Sequence, residues 1–287
     1  MLRFDRHSDT GTVTPVIITS LRNPRIVALR KLGRRRQRLL QRRFLAEGLQ
    51  ALHMAQEAGW KPQELYHCPS LFNSPAAADL LGRFREGAVR PVEVSEHVMR
   101  GLSEREEPQG LVATFALPQT ALADIQLSPD PLVLLLDRLR DPGNLGTLLR
   151  TADAVGASAV LLLPPCVDPL DPKVVRASMG SCFSLPVVTA DSPEALLAWL
   201  RQRGLPLYGG DAGGQLWTAL DWRGGMALAL GNEAEGLDEA LTARCDFLAA
   251  LPQQGRAESL NVAVAGGVLM YAWRAANPAQ VPTPGMR

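Results

Sequence analysis

Two hydrophobic rhythms run along this chain, and the change from one to the other divides it. In the first hundred residues the rhythm is that of short amphipathic helices. Ile26, Leu29 and Leu32 recur at helical spacing behind Ser20, Asn23 and Pro24, which read as a helix start, and Gly33 is placed to break that helix. Leu39, Leu40, Phe44 and Leu45 follow and lead into Glu47 and Gly48. Leu49, Leu52 and Ala55 mark a further helix that stops at Gly59; Leu80, Leu81 and Phe84 mark another, between short strands expected over 64–68 and 90–94. The outline is a small α/β domain over residues 20–117, behind a loose tail over 1–19. Residues 118–130, which begin at Pro118, include Pro129 and abut Pro131, hold few large apolar groups and read as a linker.

From residue 131 to 287 the pattern is different. Leu132–Leu136 is an unbroken apolar run, as expected of a parallel strand buried on both faces. Residues 144–155 then place Leu145, Leu148, Leu149, Ala152 and Val155 on one helical face. The alternation continues with strand 159–163, a helix near 172–180, strand 185–189, helix 192–203, strands 205–209 and 226–230, a short helix near 236–243, strand 247–251 and a last helix over 260–275. Strands alternating with helices predict a largely parallel sheet covered on both faces, with ligands bound beyond the carboxyl ends of its strands.

Composition narrows the function classes. At 287 residues, 46% hydrophobic and 21% charged, the chain fits two globular domains. The four cysteines form no CxxC pair, so neither a zinc site nor a disulfide framework is suggested and a reducing cytoplasm is expected. No apolar run reaches membrane-spanning length, and the N-terminus lacks the build of a secretory signal, so no membrane partner is expected. Charge alters the picture more. The net charge is only +1, yet the first fifty residues hold twelve basic and three acidic side chains. Arg30, Arg34, Arg35, Arg36, Arg38, Arg42 and Arg43 crowd one stretch, the footprint of a surface that neutralises phosphates; a merely solvated helix face is the plainer alternative.

Neither GxGxxG nor a GxxxxGK[ST] loop is present, which weakens dehydrogenase and P-loop readings. Three other segments follow expected strands. In Asp137–Arg150, Pro142 and Gly143 turn the chain, Asn144 can cap the next helix, and Gly146 leaves room beside Arg150 for a phosphate or ribose. In Leu230–Leu237, Gly231 permits close backbone approach and Glu233 offers an acceptor for an arginine or a substrate hydroxyl. In Leu251–Tyr271, Ser259 could cap the last helix, and Ala263, Ala265, Gly266 and Gly267 are small enough to demand tight packing on it. Each segment alone is also explained by turns and core packing.

In this order and spacing the three segments resemble the SpoU (TrmH-like) family of RNA ribose 2′-O-methyltransferases, of the SPOUT class, over about residues 130–275. The arginine-rich stretch from Ser20 to Gly48 and its continuation are similar to the L30e-like substrate-binding domain of ribosomal-RNA members. The resemblance implies a deep trefoil knot in the C-terminal parallel-sheet domain, S-adenosylmethionine as cofactor, a homodimer through that domain, no metal, and ribosomal RNA as substrate. It implies that Gly231, Leu251 and Leu260 hold the cofactor and that Arg150, Asn144, Glu233, Ser259 and Asn261 form the catalytic and substrate-orienting set. Gln253–Arg256 and Gly266–Gly267 depart from the family pattern, where a methionine-containing turn and an alanine-rich helix are usual. A transfer-RNA ribose methyltransferase and a non-catalytic RNA-binding or ribosome-assembly protein of the same fold are the alternatives.

Overall fold

The computed structural model describes residues 17–87, 89–256 and 259–278. Residues 1–16 of the expected tail lie outside them. Ile18, also assigned to that tail, is not loose: it is buried and bridges Val94.

The N-terminal part opens with α1 (Pro24–Arg30), whose first turn is capped by the Asn23 side chain accepting from the Arg25 N–H. As Gly33 predicts, the helix breaks there, through a tight turn at Lys31–Gly33, and resumes as α2 (Arg35–Gln41). Then follow β1 (Arg43–Glu47), α3 (Leu49–Glu57), β2 (Glu64–His67), α4 (Pro75–Arg85), β3 (Val92–Glu93), α5 (Glu96–Leu102) and β4 (Leu111–Ala116). The sheet order is β1-β4-β2-β3, with β4 antiparallel to both its neighbours. The sequence reading assigns no element to β1, α5 or β4. Five of the six β4 residues are buried, so its apolar pattern has no period, and it ends directly before the proline-rich segment.

The C-terminal part contains β5 (Leu132–Asp137), α6 (Pro142–Val155), β6 (Ala159–Leu163), α7 (Pro172–Ala177), β7 (Val187–Thr189), α8 (Pro193–Gln202), β8 (Leu207–Leu216), β9 (Met226–Leu230), α9 (Glu239–Thr242), β10 (Phe247–Ala250) and α10 (Val262–Ala276). All its strand pairs are parallel, in the order β10-β8-β9-β5-β6-β7. Leu132, Leu134 and Leu136 of β5 point into a core shared with α6 and α10, whereas Val133 and Leu135 face the core under α8 and α9. That two-sided burial is why β5 reads as a continuous apolar run. The chain lays β6 and β7 on one side of β5 and returns with β9 on the other, so the loops leaving β5 and β9 flank a switch point.

The two parts touch through packed side chains. Phe183 sits among Phe44, Trp60 and Phe115, with ring centroids 5.7, 5.3 and 4.9 Å away, and the Trp60 indole donates to its carbonyl at 2.9 Å. The segment between the sheets is tied down as well: Ile125 is buried in the C-terminal core, and Leu122 and Leu127 pack against it.

Candidate active site

The three sequence segments meet at the carboxyl rim of the large sheet, and one run of hydrogen bonds joins them. Asn144 Nδ2 donates to Glu233 Oε1 at 3.0 Å, and Asn261 Nδ2 donates to Asn144 Oδ1 at 2.9 Å. Glu233 also accepts from the backbone N–H groups of Asp141 at 3.2 Å and Arg140 at 3.4 Å. Burial alone would raise the Glu233 carboxyl, but these donors outweigh it and hold the group below its ordinary value. It is therefore an anion at neutral pH, a fixed acceptor that orients two amides.

Local chemistry sets each position. Helix α6 starts at Pro142, two residues before the expected boundary, because Asp141 is the cap and accepts from the Asn144 N–H at 2.7 Å. The capping role assigned to Asn144 is thus corrected, and its side chain is left for Glu233. A similar correction applies to Ser259: the cap of α10 is Asn261, whose Oδ1 accepts from Ala263 and Val264. Both polar atoms of the Asn261 amide are engaged, the oxygen in the helix and the nitrogen across to Asn144.

The loop after β9 folds back so tightly that Asn232 and Gly236 exchange backbone hydrogen bonds. A Cβ on Gly231 would run into the Gly236 and Leu237 backbone, so glycine is obligatory there. The loop is clipped from the other side by Arg138, whose guanidinium donates to Asp137 Oδ2 at 3.1 Å and Glu235 Oε2 at 2.7 Å, while Asn232 Nδ2 donates to the Arg138 carbonyl at 2.9 Å.

Beside this network lies a cavity of about 330 Å³. Gly231, Glu233, Leu251, Ser259 and Leu260 all line it. Gly210, Asp211 and Ala212 line it too, and the sequence reading misses them. Strand β8 is longer than expected and bulges between Gly209 and Gln215, where its register to β10 shifts. The signal was the run Gly209-Gly210-Asp211-Ala212-Gly213-Gly214, since glycines within a strand mark such bulges.

Arg150 stands apart from the hydrogen-bonded network. It lies six residues beyond Asn144 on α6, exposed, with no ion pair or hydrogen bond among the described residues. Gly146 does not open space beside it, as expected from sequence; a Cβ there would collide with Ala177 and Ser178, so Gly146 lets α7 pack on α6. The tight packing expected at Gly266 is present, against Leu148 and Leu230.

The arginine-rich stretch is sorted by the structure. Arg30, Arg34, Arg36 and Arg42 are exposed and unpaired among the described residues. Arg35 is exposed and 3.7 Å from Asp168. Arg38, expected to face RNA, is only 2% exposed: it donates to Asp168 at 2.8 Å and to the Leu32 carbonyl at 2.7 Å. Arg43 is half-buried and paired with Glu64. These two are interior cations with protein partners, which removes Arg38 from the exposed basic face. Asp168 lies on the loop leaving β6, and that loop hydrogen-bonds Leu139 through Cys166 and Val167. Helix α2 is therefore docked on the same rim of the sheet as the three site loops.

Among the described residues, no helix is long and apolar enough to cross a membrane, and no three His, Cys, Asp or Glu side chains are grouped to hold a metal ion.

The parallel strand order, the glycine-clipped loops and the cavity at the switch point are those of the SPOUT class of methyltransferase fold. Residues 131–271 match the model of the SpoU rRNA methylase family, and residues 23–113 that of the MRM3-like substrate-binding domain. The 23S rRNA (uridine(2479)-2′-O)-methyltransferase of Streptomyces viridochromogenes is 34% identical over 84% of this chain and 85% of its own. The 23S rRNA (guanosine(2553)-2′-O)-methyltransferase of Bacillus subtilis is 33% identical over 88% and 97%. Among solved structures, an AdoMet-bound rRNA methyltransferase from Sinorhizobium meliloti superposes with a TM-score of 0.82 at 34% identity, covering 91% of this chain and 97% of that one. The chain belongs to the SpoU rRNA methylase family.

Proposed function

We propose that the protein transfers a methyl group from S-adenosylmethionine to the 2′-oxygen of a ribose in ribosomal RNA, as a cytoplasmic homodimer. The observation that carries this reading is the Glu233–Asn144–Asn261 run, which ties the three loops together beside one cavity. The cavity suits the cofactor. Its volume of about 330 Å³ lies at the lower end of small-ligand sites, its walls are apolar at Leu230, Leu251 and Leu269, and its rim carries Asp211, Glu233 and Glu235, which favour a cationic ligand. Gly231, Leu251 and Leu260 would hold the adenosine part. When bound, S-adenosylmethionine supplies a methyl group on a positively charged sulfur that is already a good leaving group.

The protein's task is alignment. Holding an attacking oxygen in line can remove several kcal/mol of a displacement barrier. Glu233 is a positioning residue: its oxygens are occupied by Asn144 and two backbone donors, and its lowered pKa makes it a weak base. The Asn144 and Asn261 amides are thereby held facing one another across the rim. Ser259 lines the cavity with its hydroxyl uncommitted among the described residues and can bond the sugar. Arg150 clamps the phosphate next to the target ribose and stabilises the developing alkoxide, a role suited to a guanidinium that stays protonated.

A second copy of the chain is assigned to the outer face of α10. Val264, Val268 and Tyr271 follow one another at helical spacing there and are exposed, as is Leu260 just before the helix, which also lines the cavity. Residues 118–130 join the RNA-docking domain to the methyltransferase domain in this arrangement. Incubation with tritiated S-adenosylmethionine and either ribosomal or transfer RNA tests the substrate assignment: label is expected in ribosomal RNA, and label confined to transfer RNA would refute it.

A further inference from the structure

A second cavity, of about 600 Å³, opens at the β3 edge of the N-terminal sheet and shares no residue with the methyl-transfer site. One wall is Pro24 and Arg25 at the start of α1; the other is Arg85 at the end of α4 with Pro91. Ile18, Asn23, Val92, Glu93 and His67 complete it. Neither the Arg25 nor the Arg85 guanidinium has a hydrogen bond or ion pair among the described residues. His67 is 4% exposed, and its Nδ1 is buried with no hydrogen-bond partner. A buried polar atom in that state needs an explanation, and a small turn of the ring toward a ligand in the cavity supplies one.

The chemistry selects the ligand. Two unpaired guanidiniums against one carboxylate, Glu93, leave an excess of positive charge suited to a phosphate. Pro24, Pro91 and Val92 offer an apolar slot for a flat ring. Burial, reinforced by Arg85 and opposed by Glu93, keeps the imidazole below the usual histidine range, so at neutral pH it carries one donor and one acceptor nitrogen. A nucleotide presents a phosphate, a flat face and a donor–acceptor edge together, and RNA is read by sequence through such unstacked nucleotides. Arg30 at the end of α1, Arg34 before α2 and Arg36 on α2 are exposed as well, so the element that carries Arg25 leads into the basic run.

We propose that this cavity binds one unstacked nucleotide of the substrate RNA, with the phosphate on Arg25 and Arg85 and a base edge against His67. The proposal rests on the reading that RNA is the substrate, and it makes the N-terminal domain a reader of sequence as well as a source of charge.

The test is fluorescence anisotropy of the full-length protein with labelled RNA hexamers of A, C, G and U, at 50–200 mM salt. Wild type is expected to separate the four by at least about fivefold. Arg25→Ala with Arg85→Ala should weaken every hexamer about tenfold and flatten the log–log salt slope by about 0.7 for the one phosphate released. His67→Leu should narrow the spread to within about twofold at an unchanged salt slope, whereas His67→Gln, which keeps a donor and an acceptor, should preserve it. Equal affinity of wild type for all four hexamers, a spread that survives His67→Leu, or a double variant within twofold of wild type overturns the proposal. So does displacement of the hexamers by inorganic phosphate as effective as by nucleoside 5′-monophosphates, which would reveal a plain anion site. Affinity for S-adenosylmethionine is measured on every variant and should not move; its absence in wild type would sink the proposed function and leave the nucleotide site standing.

Discussion

The rim of the large sheet and the arginine face of α2 are both polar and they adjoin, yet they are built in opposite ways. At the rim nearly every polar group has found another: Glu233 holds Asn144, Asn144 holds Asn261, and Arg138 holds Asp137 and Glu235. On α2 and its flanks Arg34, Arg36 and Arg42 have no partner among the described residues. Satisfied groups are rigid and cannot bind strongly to anything that would have to displace their partners; unsatisfied exposed cations cost little in water and remain available to a polyanion. The first arrangement is suited to holding reactants in one geometry, the second to attracting RNA over many contacts. Arg38 shows that the boundary between them is a matter of burial, because it belongs to the arginine run by sequence and to the rigid framework by structure.

The comparison is broken most severely at Arg150, an exposed cation with no partner among the described residues, on the helix that leaves the rim. Arg150→Ala should lower the methyl-transfer rate by about 10²–10³-fold, the usual cost of removing one electrostatic stabiliser, while S-adenosylmethionine affinity measured by calorimetry stays the same. A near wild-type rate would remove it from the site. Next comes Arg38→Ala, which leaves Asp168 at the domain junction with only the exposed Arg35 3.7 Å away and should destabilise the protein by about 3 kcal/mol in chemical denaturation, the lower end for breaking a buried pair. An effect on RNA affinity with no loss of stability would return Arg38 to the RNA face.

Replacing Arg34, Arg35 and Arg36 together should weaken RNA binding by about tenfold and flatten its salt slope by about 2, with stability unchanged. The smallest effect concerns pH. Glu233 has a lowered pKa in the folded state, so the unfolded chain takes up its proton first as pH falls, and the stability the carboxylate contributes is present above the ordinary value of 4.5 and lost on passing below the folded value. The Tm difference between wild type and Glu233→Gln should therefore shrink toward zero as acid is added; a difference that widens in acid would mean the carboxylate is not held by its donors.

What was legible in the sequence follows the same division. The β5–α6–β6 alternation and the three rim segments could be read because each is local: an apolar run buried on two faces, a helix face and a turn are fixed by neighbours a few residues away. The fate of Arg38 could not, since its partner Asp168 is 130 residues distant. The capping roles expected of Asn144 and Ser259 fall instead to Asp141 and Asn261, equally good capping residues two or three positions away, and composition does not rank such neighbours. Strand β4 was hidden because β1 and β2 pair with it on both edges, so it needs no period to be stable. The β8 bulge had a visible glycine signature, but its meaning depends on how β10 pairs with it.

The central claim is that the rim cavity delivers a methyl group to a ribose oxygen. Ribosomal RNA labelled by this protein with tritiated S-adenosylmethionine can be hydrolysed in alkali, which cleaves beside every free 2′-hydroxyl. The account predicts that the label emerges in an alkali-stable dinucleotide; label in single nucleotides, on the base, would contradict it.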